Sequence, residues 1–227
     1  KETVMKWITE SAKRSRKLKD KYTMRGCDIY IQDPVGNHIN LEFVFDYIMA
    51  RVPTKLLNSV DVIYVGDFPD FKRRDINAYY DNGAIFVTNN QDDDKDMIDD
   101  IVHEIAHGVE ERYNDFIYSD VTLEKEFLAK RQVIYRMMKS HGLNPPKLML
   151  AEPAYDQFID DYFYEEVGYS IMNDIVSGVF VSAYAATSLN EYFARGFEEY
   201  VFGERRYLAK HCPALFRTLE ELFSEEK

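Results

Sequence analysis

The chain is poor in the residues that would place it outside the ordinary globular class. It has two cysteines, one tryptophan, ten glycines and seven prolines in 227 residues. With only Cys27 and Cys212 available, a disulfide framework is excluded and a cysteine-rich zinc cluster cannot be built. So little glycine and proline excludes collagen-like and low-complexity chains. No apolar run approaches the roughly 18 residues that span a bilayer. The sequence is charged from Lys1 onward, which predicts neither a transmembrane helix nor a signal peptide. Because the first residue is not Met, the compartment stays open, and a cytosolic site of action or a toxin or virion component both fit. Basic charge is also scarce. Lys and Arg total 28 against 40 Asp and Glu, a formal charge of −12 that argues against wrapping nucleic acid phosphates. What remains is a sequence 46% hydrophobic, long enough for one ordinary domain or two small ones, and expected to be soluble and globular.

Charge is unevenly distributed. Residues 1–25 carry nine basic and three acidic side chains, most of the excess in Lys13-Arg14-Ser15-Arg16-Lys17-Leu18-Lys19. This reads as a basic N-terminal segment, either a solvated helix end or a docking segment, ahead of a domain over 26–227. From Cys27 to Thr88 the pattern is mixed. Asp28–Gln32 and Val60–Val65 are strand-like, and a helical stretch over Leu41–Arg51 is closed by Pro53. Ala78–Tyr80 and Ala84–Thr88 flank Asp81-Asn82-Gly83, the form of a hairpin with Asn-Gly at its turn. After residue 95 the composition is helical, with breaks at 141–146, Gly168 and Gly178. The fold class is therefore α+β, a small twisted sheet over 26–95 and a helical half over 96–227, with no internal repeat.

His103-Glu104-Ile105-Ala106-His107 matches H-E-x-x-H. Such a short string is weak alone, and its surroundings decide its meaning. Ile98, Ile101, Val102, Ile105, Ala106 and Val109 recur at helical spacing and make one apolar stripe. His103 and His107 then share a face away from the centre of that stripe, one turn apart, where two imidazoles can grip one metal ion. Glu104 lies to one side and is free to act as general base on a water held by the metal. The run Asp92–Asp94, Asp96, Asp99 and Asp100 fits a helix N-terminus whose dipole it offsets, and it lacks the Gly and terminal Glu of a calcium loop. His38, His141 and His211 are isolated, and neither cysteine has a nearby His-bearing signature.

A catalytic zinc needs a third protein ligand and an open position. The extended motif with a third His six residues on fails, because Glu110 replaces its Gly and Tyr113 its His. Ser188-Leu189-Asn190-Glu191-Tyr192-Phe193-Ala194-Arg195-Gly196-Phe197 is the best later candidate, with Glu110 and Glu198 as rival ligands. Its N-E-Y-F-A-x-x-F pattern resembles the glutamate-bearing helix of gluzincins, in particular of the anthrax lethal factor-like metallopeptidases. The resemblance covers roughly residues 98–113 and 184–200. It implies a zincin-like fold, Glu191 as third zinc ligand, and Tyr184, seven residues earlier, assisting the transition state. On one continuous helix, that spacing projects both side chains from one face. The departures are Arg195, where many gluzincins carry an acidic residue behind the ligands, with Glu198 as a substitute, and a helical insertion over about 120–170.

These residues lead to the expectation of a zinc-dependent endopeptidase acting on a peptide or protein. His103, His107 and Glu191 would hold one zinc ion, with Glu104 and Tyr184 catalytic and Ala84–Thr88 pairing with an extended substrate. The alternative is a catalytically idle zincin-fold binding or structural module of a toxin or virion, against which the intact Glu104 speaks. The oligomeric state is not readable.

Overall fold

A computed structural model describes residues 20–74 and 76–224. The basic run Lys13–Lys19 lies outside the described residues. The architecture is α+β, and the chain divides into two compact units, residues 1–105 and 106–227.

In the first unit, β1 (Asp20–Met24), β2 (Cys27–Ile31), β3 (Val62–Gly66), β4 (Ala78–Asp81) and β5 (Ala84–Thr88) form one sheet in the order β1-β2-β3-β5-β4. The central strands β2, β3 and β5 run parallel, and β1 and β4 pair antiparallel at the edges. Two corrections follow. β5 is hydrogen-bonded by β3 on one side and β4 on the other, so its ladder is filled. Ala84–Thr88 therefore offers no edge to a substrate, and β4 is the edge strand. The segment 1–25 is not wholly an extension either, because Asp20–Met24 is β1. Its outward Lys21 sits 2.9 Å from Asp28 Oδ2, while Met24 is fully buried.

Both hairpins turn on two residues with positive φ, Arg25-Gly26 at 48° and 100° and Asn82-Gly83 at 45° and 84°. Positive φ at both central positions matches the right-handed twist of the flanking strands. Side chains then alternate between faces. Ile29, Ile63 and Ile85 align across the central strands, as do Ile31, Val65 and Val87, and all six are buried. On the opposite face Tyr30, Tyr64, Phe86 and Tyr79 form a cross-strand stack with successive centroids 5.8, 5.3 and 4.8 Å apart. A one-residue slip would exchange these faces, so the pattern fixes register.

Helix α1 (Leu41–Arg51) starts where Asn40 Oδ1 accepts from the Phe43 N–H at 3.1 Å and ends before Pro53, followed by α2 (Thr54–Leu57) and α3 (Pro69–Arg74). Helix α4 (Asp94–Arg112) opens at Asp93, whose Oδ1 accepts from the Asp96 N–H at 2.9 Å, so the acidic run is a helix start. Its expected apolar stripe is entirely buried. Fully burying each Ile or Val contributes roughly 1.5–3 kcal/mol, which anchors the motif-bearing helix.

The second unit is helical, with α5 (Asn114–Ile117), α6 (Thr122–Ser140), α7 (Gln157–Asp161), α8 (Tyr169–Val176), α9 (Leu189–Phe202), α10 (Arg205–His211) and α11 (Pro213–Phe223). The expected helical stretch over 120–170 is occupied by α6, α7, a 3-10 turn at Lys147–Leu150 and a π turn at Tyr162–Val167. Phe127, Phe180 and Tyr192 pack ring against ring at 5.5–5.9 Å. The Tyr192 hydroxyl donates to Glu126, whose carboxylate also accepts from the N–H groups of Ala214 and Leu215 and so caps α11. A methyl group at Gly196 would stand 2.3 Å from Leu215 Cδ2, a fully buried side chain. Gly196→Ala should therefore destabilise the protein by about 1–3 kcal/mol, and an unchanged melting temperature would contradict this packing. Among the described residues no helix is long and apolar enough to cross a membrane.

Candidate metal centre

Helix α4 presents His103 and His107 half-buried, with Glu104 between them only 7% exposed. The third member arrives on the first turn of α9. Ser188 is its N-cap, and its hydroxyl accepts from the Glu191 N–H at 3.2 Å. Ser-x-x-Glu at a helix start commonly returns the Glu carboxylate to the cap. Here Glu191 Oε1 lies 3.6 Å from His107 Nε2. One ligand atom each of His103, His107 and Glu191 falls within 4.8 Å of the others, and these three form the group that could hold a metal ion among the described residues. Two ligands about 2.1 Å from one tetrahedral ion lie about 3.4 Å apart, so the His107–Glu191 separation suits a shared ion.

Glu110 is outside that group. It lies on the other nitrogen of His107, with Oε2 3.6 Å from Nδ1, and it is 4% exposed. Its Oε1 accepts from the Tyr118 hydroxyl at 2.5 Å and from Asn190 Nδ2 at 2.8 Å. The sequence marked Glu110 as a rival ligand and passed over Tyr118. The signal for Glu110 was its place one turn after His107, and no local pattern singled out Tyr118.

Tyr184 requires a correction. It is not on a helix continuous with Glu191 but in a separate 3-10 turn, Tyr184–Ala186, and α9 begins anew after Ser188. The turn is held from α6 by Arg131, which is fully buried and donates to the carbonyls of Ala186, Thr187, Met149 and Glu152. Burial draws this guanidinium down to about 10, so it remains a cation at neutral pH and its charge is dispersed over carbonyl dipoles. Tyr184 nonetheless lies close to Glu191. Burial, then the Glu191 charge, hold its phenol above the ordinary value, with Arg195 opposing, so the hydroxyl keeps its proton as a donor. The Arg195 guanidinium lies 5.5 Å from the Tyr184 ring centre, and Tyr169 meets the ring edge-on at 6.3 Å. Arg195 Nη1 donates to Glu198 Oε2 at 3.0 Å, so the acidic residue suggested behind the ligands is engaged with the arginine.

The remaining histidines are occupied elsewhere. His38 Nε2 meets the Gln91 carbonyl at 3.0 Å, His141 Nδ1 meets the Met137 carbonyl at 2.8 Å, and His211 packs on Tyr207. Both thiols are free and buried. Burial pushes Cys27 up to about 12 and also raises Cys212, which makes neither a nucleophile at neutral pH. Compared with known proteins, the chain matches no family model, no curated protein and no solved structure.

Proposed function

We propose that this protein is a zinc-dependent endopeptidase of gluzincin type. The observation that carries the reading is the His103, His107 and Glu191 group with the buried Glu104 carboxylate on the same turn of α4. Two imidazoles and one carboxylate are a donor set suited to catalytic zinc, which takes three protein ligands and leaves one position open. When bound, zinc supplies Lewis acidity, polarising a peptide carbonyl and making water acidic enough to ionise near neutral pH.

The chain's own residues perform the rest. Glu104 accepts the proton of the attacking water and passes it to the departing amine, so the water oxygen ends in the new carboxylate. Tyr184, which keeps its proton, donates a hydrogen bond to the negative charge that develops on the carbonyl oxygen. Arg195 and Tyr169 hold its ring in place for that task. A catalytically idle binding module would have no use for a buried carboxylate beside the ligands, so Glu104 favours the enzyme.

Treatment with a chelator should abolish peptide cleavage, and one equivalent of zinc should restore it. Cleavage that persists in rigorously metal-free protein would overturn the proposal. Tyr184→Phe should keep zinc and lower kcat by about 10²-fold, the usual cost of one oxyanion donor. If kcat were unchanged, Tyr184 would be a packing residue only.

A further inference from the structure

Glu110 is a buried carboxylate that the proposed reaction does not use. It is 4% exposed, and a lone ionised carboxylate at such depth is costly unless each oxygen is engaged. Its Oε1 receives two donors, the Tyr118 hydroxyl and the Asn190 amide. Its Oε2 faces His107 Nδ1 at 3.6 Å, while the opposite ring nitrogen, Nε2, faces Glu191 Oε1 at the same distance. The two carboxylates therefore address opposite ends of one imidazole. Asn190 immediately precedes Glu191 on α9, so the carboxylate that faces His107 from α4 also grips the turn carrying the third ligand.

A neutral imidazole carries its proton on one nitrogen and its lone pair on the other, and a carboxylate can only accept. We infer that Glu110 is a positioning residue that fixes His107 in the Nδ1–H tautomer, leaves the Nε2 lone pair directed at the metal position, and through Asn190 sets the spacing between His107 and Glu191. Tyr118 makes this arrangement one-sided. Burial and the neighbouring Glu110 charge hold its phenol well above its usual value, so it stays a donor and keeps Oε1 occupied. Only Oε2 is then left for the ring.

The inference rests on the proposed metal reading for its purpose, but its test does not require metal. In Glu110→Gln the side-chain oxygen must still accept from Tyr118 and Asn190, which turns the amide NH2 toward Nδ1. A donor at that position makes Nδ1 an acceptor and moves the imidazole proton to Nε2, where it blocks ligation. Because Glu191 faces Nε2 at the same distance when no metal lies between them, the tautomer is read in Glu191→Ala. Nitrogen NMR above the imidazole pKa should show His107 as Nδ1–H there and as Nε2–H once Glu110→Gln is added. Zinc binding is read in the Glu110→Gln single variant. Zinc affinity, measured by competition with a chromophoric chelator, should fall about 10–100-fold in that variant, the usual effect of losing an outer partner of a ligating histidine. Tyr118→Phe, added to Glu191→Ala, keeps the Glu110 carboxylate and should keep the Nδ1–H tautomer.

His107 found as Nε2–H in Glu191→Ala would overturn the inference even if Glu110→Gln failed to fold. So would a Glu110→Gln change that leaves the tautomer unaltered in Glu191→Ala and the zinc affinity of the single variant within twofold of wild type. If Glu191→Ala shows Nδ1–H while the wild type takes up no zinc, the metal reading falls and the tautomer assignment stands, which separates the two failures.

Discussion

Glu104→Gln should leave zinc content and melting temperature near those of the wild type while lowering kcat for peptide hydrolysis by about 10²–10⁴-fold, the contribution of a well-placed general base. The amide matches the carboxylate in shape, so a side chain that is 7% exposed can keep its packing. It cannot take the proton of the attacking water. The group of ligand atoms comprises His103, His107 and Glu191 and omits Glu104, which predicts that metal and turnover separate in this variant. Parallel measurement of bound zinc and kcat checks it. Simultaneous loss of both would make Glu104 a ligand or a folding residue, and undiminished kcat would remove it from the chemistry.

Glu191→Ala should lose zinc on mild dialysis. Two imidazoles on one helix supply neither the charge nor the third direction that a stable site requires. The thermal consequence is also large. Metal that binds only the native state at a thousandfold excess over its Kd stabilises by about 4.1 kcal/mol, and this increment should vanish in the variant. Glu110→Ala and Glu198→Ala discriminate the rivals. Glu198 is salt-bridged to Arg195 and Glu110 lies on the far nitrogen of His107, so both variants should still take up zinc at concentrations where Glu191→Ala takes up none. Stoichiometric zinc in Glu191→Ala would remove the third ligand and the gluzincin reading together.

Much of this was legible where one local rule dominated. The helix around Leu41–Arg51 was readable because Pro53 stops it, and the structure adds Asn40 as its cap. Asn82-Gly83 announced its hairpin because few other pairs accept positive φ at both positions. The H-E-x-x-H string on a helical apolar pattern singled out His103 and His107, and a resemblance singled out Glu191, whose Oε1 lies 3.6 Å from His107 Nε2. The misses have a common cause, which is that sequence does not encode what lies beside a segment in space. β1 was hidden because it directly follows the basic run Lys13–Lys19 and carries Lys21 on its outward side, so it looked like part of a solvated charge run. The strand order β3-β5-β4, which fills the ladder of β5, is set by a parallel crossover that no local pattern reveals. The seven-residue spacing puts Tyr184 and Glu191 on one face only if the helix is continuous, and the Ser188 cap restarts the chain as α9 between them. The partnership of Glu110 with Tyr118 and Asn190 joins residues 8 and 80 positions apart, the second beyond any local rule.

The most direct measurement incubates the zinc-loaded protein with an unbiased peptide library in oxygen-18 water and reads the products by mass spectrometry. Hydrolysis by an endopeptidase should yield new internal termini, each new carboxylate carrying one oxygen from water. A protein that holds one zinc at His103, His107 and Glu191 and still leaves every peptide in the library intact would contradict the proposed activity.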